Sequence, residues 1–182
     1  IQMVLKMMNR NRGFTLAELM VTMAVVAIVL VVGVPAFQAT VRNNRAVANA
    51  NDFLTSLNLA RNEAIKRGAG RVVLCPGTPA GCAGTWTSGW IVFVDTNNNG
   101  QWDAGERILQ AHEPLSGNDT LTGNAPVSTY ISFAADGSTR FANSNAFQAG
   151  TLRFSLCNSN NQQNTIVINS VGRARVAPQP CI

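Results

Sequence analysis

The chain has 182 residues, of which 46% are hydrophobic and only 13% charged, with a formal net charge of +5. That is one domain's worth of chain with enough apolar material for a core, and it excludes disorder of the highly charged, weakly hydrophobic kind. One histidine and nine carboxylates leave little for a metallohydrolase or a histidine-dependent triad, so no enzyme is expected.

The first element is short and basic. Lys6, Arg10 and Arg12 stand without an acid in residues 1–13, and Gly13 closes the stretch. Phe14 to Phe37 is then apolar, with Glu18 as its one charge. At ~1.5 Å per residue a helix over this run spans about 36 Å, enough for a ~30 Å hydrocarbon core. The glycine precedes the apolar run, so cleavage there would keep the run in the mature protein, unlike a secretory signal. A carboxylate within a span costs roughly 2.5–3.5 kcal/mol on insertion scales, so Glu18 needs a partner or a function. Cleavage after Gly13 would supply one, the α-amino group of Phe14 on a neighbouring subunit. The alternative is a plain single-pass anchor.

The helix is expected to continue over residues 38–70. Phe53, Leu57, Ala60 and Ala64 recur at helical spacing with Leu54 and Ile65 beside them, while Arg45, Asn49, Asp52 and Asn62 are expected to face water. Gly68 and Gly70 end it, with Lys66 and Arg67 in the last turn, where they suit the helix dipole.

Short runs rich in β-branched and aromatic residues follow, bounded by Gly, Asn or Pro. The predicted strands are Arg71–Cys75, Gly89–Val94, Glu106–Gln110, Ser128–Phe133, Thr151–Cys157, Thr165–Asn169 and Arg173–Val176. Leu115–Val127 and Phe141–Gly150 read as polar loops. Trp86, Trp90 and Trp102 flank strands, either as core or as surfaces for stacking bases. Four cysteines behind a membrane anchor favour disulfides. Of three possible pairings, Cys75–Cys82 and Cys157–Cys181 are expected, because each closes a local loop and the second ties down the carboxyl terminus.

Residues 95–106 match the calcium-loop pattern D-x-[DN]-x-[DN]-G-x5-E. Asp95, Asn97, Asn99, the Gln101 carbonyl, Asp103 through water and bidentate Glu106 would be the ligands. A second reading is equally physical: strands flank the segment, so Asn-Asn-Gly is a hairpin turn where Asn and Gly tolerate positive φ. No other cofactor is implied.

Charge is patterned along the chain. Six basic residues lie between Arg42 and Arg71 against Asp52 and Glu63, and six acids lie between Val72 and Asp136 against Arg107. Beyond Asp136 come only Arg140, Arg153, Arg173 and Arg175. In an extended Gly172-Arg-Ala-Arg175 the two arginines share a face about 6.6 Å apart, a spacing suited to successive phosphates. Arg153, Arg140 and the basic helix would support them, and Gly172 would allow close backbone approach. The other reading is a solvated face, or an ion-pair contact with a neighbouring subunit.

The octet RGFTLAEL resembles the class III signal of type IV pilins and pseudopilins, and Pro35 resembles that family's helix-kinking proline. LNLARNEAIKR, Leu57 to Arg67, resembles the GspH/FimT branch of minor pilins, as does the hairpin loop at 95–106, which does not itself imply calcium. The resemblance implies an α+β, type IV pilin-like fold: a leader peptide (1–13), a transmembrane helix half (14–37), an amphipathic half (38–70), and an antiparallel β domain (71–182). It implies cleavage after Gly13 and N-methylation of Phe14 by a prepilin peptidase, then packing among other pilins. The chain would be single-pass in the inner membrane with a periplasmic domain, then part of a pilus or pseudopilus. GRAR just before the last cysteine resembles the DNA-binding motif of FimT-type minor pilins, implying capture of double-stranded DNA through Gly172, Arg173, Arg175 and Arg153 in natural transformation. The alternatives are a FimU-like subunit that primes pilus assembly, or a GspH-like pseudopilin of a type II secretion system.

Overall fold

A computed structural model describes residues 13–158 and 160–181; the remainder of the expected leader peptide lies outside them. The chain divides into two units, up to Gln38 and from Ala39, and one helix, α1 (Leu16–Arg67), contributes to both.

In the first unit α1 begins with a reciprocal cap. The Glu18 N–H donates to Thr15 Oγ1 at 3.2 Å, while Glu18 Oε2 accepts from the Thr15 N–H and hydroxyl at 3.3 Å each. Thr-Leu-Ala-Glu is thus a capping box, which satisfies amides the first turn leaves open. Every side chain from Leu16 to Gln38 is exposed, and the segment is long and apolar enough to cross a membrane. Pro35 lies inside the helix, where it removes one backbone donor.

In the second unit α1 buries Ala46, Asn49, Ala50, Phe53, Ser56, Leu57, Ala60 and Ala64. Four alanines on this face allow close approach to the sheets. Asn49 differs from its expected solvent position: its Nδ2 donates to Asp119 Oδ2 at 2.9 Å, with both residues buried. Asp119 also accepts the Leu156 N–H at 2.8 Å, so a buried carboxylate seventy positions away gives Asn49 its partner.

Two antiparallel sheets make up the rest. The first runs β2 (Gly81–Cys82), β1 (Arg71–Thr78), β3 (Trp90–Asp95), β4 (Ile108–His112), with β6 (Ile131–Phe133) also on β1. The second runs β5 (Leu121–Gly123), β7 (Gly150–Cys157), β8 (Gln162–Ile168), β9 (Ala174–Pro180). Helix and sheets share one core. Phe53 meets Trp86 and Trp90 edge-on at 5.3 and 4.9 Å, and the two indole N–H groups donate to the Val127 carbonyl and to Ser56 Oγ. These tryptophans are core residues and unavailable for stacking on bases. Disulfides join Cys75 to Cys82 and Cys157 to Cys181.

The expected loop Leu115–Val127 instead contains β5 and a short 3-10 turn, with Leu115, Leu121 and Val127 buried. Its apolar residues are six apart, with neither strand nor helix period, so local pattern conceals them. The β4 strand starts at Ile108 because Glu106 is engaged in closing the loop before it. Likewise β6 starts at Ile131 because the chain turns over Ala125–Val127. β9 continues to Pro180 because it is an edge strand, where prolines cost no ladder bond.

Candidate nucleic-acid interface

The GRAR segment begins in a turn, and the strand starts at its third residue. The Gly172 N–H donates to the Asn169 carbonyl at 2.9 Å, and Asn169 Oδ1 accepts the Arg173 N–H at 2.9 Å. Gly172 has φ +76°, and a Cβ there would stand 1.9 Å from the Gly137 carbonyl oxygen. The backbone that approaches Gly172 is therefore the protein's own. Arg61 of α1 fixes this junction, donating from Nε to the Gly137 carbonyl at 3.1 Å and from Nη2 to the Val171 carbonyl at 3.3 Å.

Strand alternation then sets direction. Ala174 and Val176 pack against the core, so Arg175, opposite Val167, lies on the outer face of the second sheet. Arg153 shares that face, two strands and two residues away, because Thr151 opposes Val167 and Arg153 opposes Thr165. Arg173 and Arg175 are exposed, and neither guanidinium has an ion pair or hydrogen bond among the described residues. Arg153 is half-buried; its Nη2 is 3.4 Å from Gln179 Oε1, and both line a polar cleft with Thr122, Asn124 and Thr151.

Arg173 lines a cleft of about 530 Å³ with Arg61, Asp136, Ser138, Arg140, Phe147 and Val171. Arg140 lines it with its guanidinium engaged at Ser138, Asn145 and Asp136. Asp136 is the one carboxylate among the described residues that line it. Bonds from the Ser138 hydroxyl and N–H hold its carboxyl below the usual range, with Arg140 adding to the effect. Phe147, in the expected polar loop, carried no sequence signal for this position. Arg71 is removed from the basic helix as a contact: it is buried and donates to Ser132 Oγ, the Arg140 carbonyl and Asn145 Oδ1. Gly13, Phe14 and Glu18 belong to the other unit.

The Asp95–Glu106 loop is closed on its own donors, as the hairpin reading expects. Asp95 accepts the Asn99 and Gly100 N–H groups at 3.2 and 2.9 Å. Asn97 Oδ1 accepts the Asn99 N–H, and Asn99 Oδ1 accepts the Gln101 N–H. Asp103 Oδ2 accepts from both asparagine side chains. Glu106 accepts from the Thr96 N–H and hydroxyl and the Asp103 N–H. Each side chain the motif would offer to an ion has at least one oxygen facing a donor of the loop itself, and no three metal-ligating side chains of the His, Cys, Asp or Glu kind converge among the described residues. Asp95 is buried, which pushes its carboxyl up, opposed in part by the Gly100 and Asn99 N–H groups.

A long helix, apolar in its first half and packed through its second half on antiparallel sheets, places the protein in the type IV pilin-like class. Residues 49–172 match the family described as type II transport protein GspH, and residues 8–34 match the prokaryotic N-terminal methylation motif. The chain belongs to the GspH family of minor pilins and pseudopilins. Among solved structures it is similar to the type IV minor pilin FimU of Pseudomonas aeruginosa (17% identity, TM-score 0.54, 77% of this chain and 97% of that one). It also matches the minor pseudopilin EpsH of the Vibrio cholerae Type 2 Secretion System (16% identity, TM-score 0.49, 74% and 97%). No curated protein sequence matches.

Proposed function

We propose that this protein is a minor pilin of a type IV pilus that binds extracellular double-stranded DNA without sequence preference through Arg173 and Arg175, serving natural transformation. The observation that carries the reading is the pair of exposed guanidinium groups, without a partner among the described residues, at the start of the edge strand and in the turn before it, a turn clamped by Gly172 and Arg61. A rigid base lowers the entropy lost when the two forks meet phosphates. Arg153 extends the cationic face along the sheet. In this reading a prepilin peptidase cleaves after Gly13 and methylates Phe14. The helix then anchors the periplasmic domain in the inner membrane until assembly among other pilins.

Arg173→Ala with Arg175→Ala in the full chain tests it. The double variant is expected to keep its fold by circular dichroism and lose duplex affinity. Because each neutralised phosphate contributes about 0.9 to the slope of log K against log salt, that slope is expected to fall by roughly 2. Unchanged binding sinks the assignment. The likeness to FimU favours one other reading, a subunit that primes pilus assembly without binding DNA. Loss of pili in the double variant, with duplex affinity intact, selects it.

A further inference from the structure

In the globular unit the exposed large apolar side chains are Val47, Leu59, Ile65, Phe147 and Val171, and Phe147 is the aromatic one. It is 59% exposed and shares the Arg173 cleft with Val171. An exposed phenylalanine costs solubility unless something uses it. Its surroundings are built. Arg140 pairs with it across an isolated bridge and lays its guanidinium carbon 4.2 Å from the ring centroid. That guanidinium is pinned at Ser138 Oγ, the Asn145 carbonyl and Asp136. A guanidinium covers one face of a ring, and the exposure that remains leaves the rest to a planar partner. The unpartnered Arg173 stands in the same cleft.

We infer that Phe147, backed by Arg140, is a stacking platform for an unpaired nucleobase whose phosphate is held by Arg173, so that the site takes single-stranded DNA. The inference rests on the DNA-binding reading and adds unpaired strands to the duplex proposed above. An aromatic ring with a cation on one face and a free arginine beside it has the composition that single-strand sites use: every base offers a π-face, and the arginine tracks the backbone. Bases of an intact duplex have their faces covered by their neighbours, so Phe147 adds little to duplex binding. The cleft, about 530 Å³, lies within the roughly 300–1,000 Å³ range of clefts that hold small ligands.

The test measures anisotropy of three labelled probes with full-chain protein in detergent micelles: a short oligothymidylate, an abasic oligomer of equal length, and a closed hairpin duplex. Wild type is expected to prefer oligothymidylate over the abasic strand. Phe147→Ala is expected to abolish that preference, weakening oligothymidylate binding about fivefold or more and the duplex less than about twofold. Phe147→Trp is expected to restore it, with fluorescence quenched by oligothymidylate. Restoration by Phe147→Leu overturns stacking in favour of a simple apolar contact. Oligothymidylate affinity unaffected by Phe147→Ala, while Arg173→Ala with Arg175→Ala abolishes duplex binding, overturns this inference and leaves the DNA reading standing. Wild type that binds none of the probes overturns both. Loss of pili in Phe147→Ala with unchanged oligothymidylate affinity makes the patch a subunit contact and also overturns it.

Discussion

The Asp95–Glu106 loop and the Asn169–Arg175 turn are both polar strand connections whose sequences suggest a ligand, and they handle their charge in opposite ways. In the first, three carboxylates are turned inward onto amide and hydroxyl donors of the same twelve residues, which makes the loop self-sufficient. In the second, the polar bonds are made by backbone and by Asn169, and the turn is held by its fit against Gly137 and Arg61. Among the described residues its two arginine side chains make no ion pair or hydrogen bond, and the ionised Asp136 shares the cleft of Arg173. Sequence spacing places the candidate ligands in each segment, and the partners already present decide which are available. Calcium would have to compete with the hydrogen bonds that hold the first loop together, whereas the guanidinium groups of the second have no hydrogen bond among the described residues to give up.

The strongest way to break the contrast is to unseat the turn. Gly172→Val places a β-branched residue at φ +76° with its Cβ against a backbone carbonyl. Strain and overpacking together are expected to cost about 2–5 kcal/mol. A urea midpoint within error of wild type contradicts the account of Gly172 as a packing residue.

Opening the other loop costs less. Asp95→Ala removes the acceptor of the Asn99 and Gly100 N–H groups, one of them buried, for an expected loss of about 1–3 kcal/mol. This side chain also carries a pH signature. Its carboxyl is raised in the folded state from 3.8, so the native protein holds this proton more tightly than the unfolded chain does. The associated stability is fully present below pH ~3.8 and declines as pH rises through the raised native value. Urea midpoints of wild type and Asp95→Asn across pH 3–7 check this: the variant is expected to lack that decline.

The smallest effect sharpens the charge difference itself. Asp136 is the carboxylate of the Arg173 cleft and stays ionised at neutral pH. Asp136→Asn keeps an acceptor for Ser138 and removes the charge. At an exposed site that is worth less than about 1 kcal/mol, so DNA affinity is expected to rise roughly two- to fivefold at low salt. A fall in affinity would show that Asp136 acts mainly by holding Arg140 in place.

Legibility differed along the chain for physical reasons. Phe53, Leu57, Ala60 and Ala64 stand out because a helix face repeats every 3–4 residues, and all four are buried. Asn49, on the same face, reads as a solvent position because its partner Asp119 lies in a segment without periodicity. Arg71 looked like part of a basic surface for the same reason: its acceptors, at Ser132, Arg140 and Asn145, are 61 to 74 positions away. The candidate site divides likewise. The outward side of Arg175 follows from strand alternation, whereas the placement of Arg173 in the turn before the strand, the neighbours of Gly172 and the presence of Phe147 beside Arg173 do not.

By itself the sequence determined the elements whose causes are local: an apolar helix half, an amphipathic continuation, most of the strands, and cysteines placed to close local loops. Those depend on residues within a few turns or one hairpin. The tertiary structure alone decided which polar groups are occupied. Arg61 reaches Gly137 and Val171 across 76 and 110 positions, and Asp119 draws Asn49 inside. A charge becomes available to a ligand when the fold supplies it no partner, and distant segments decide that for Arg173 and Arg175.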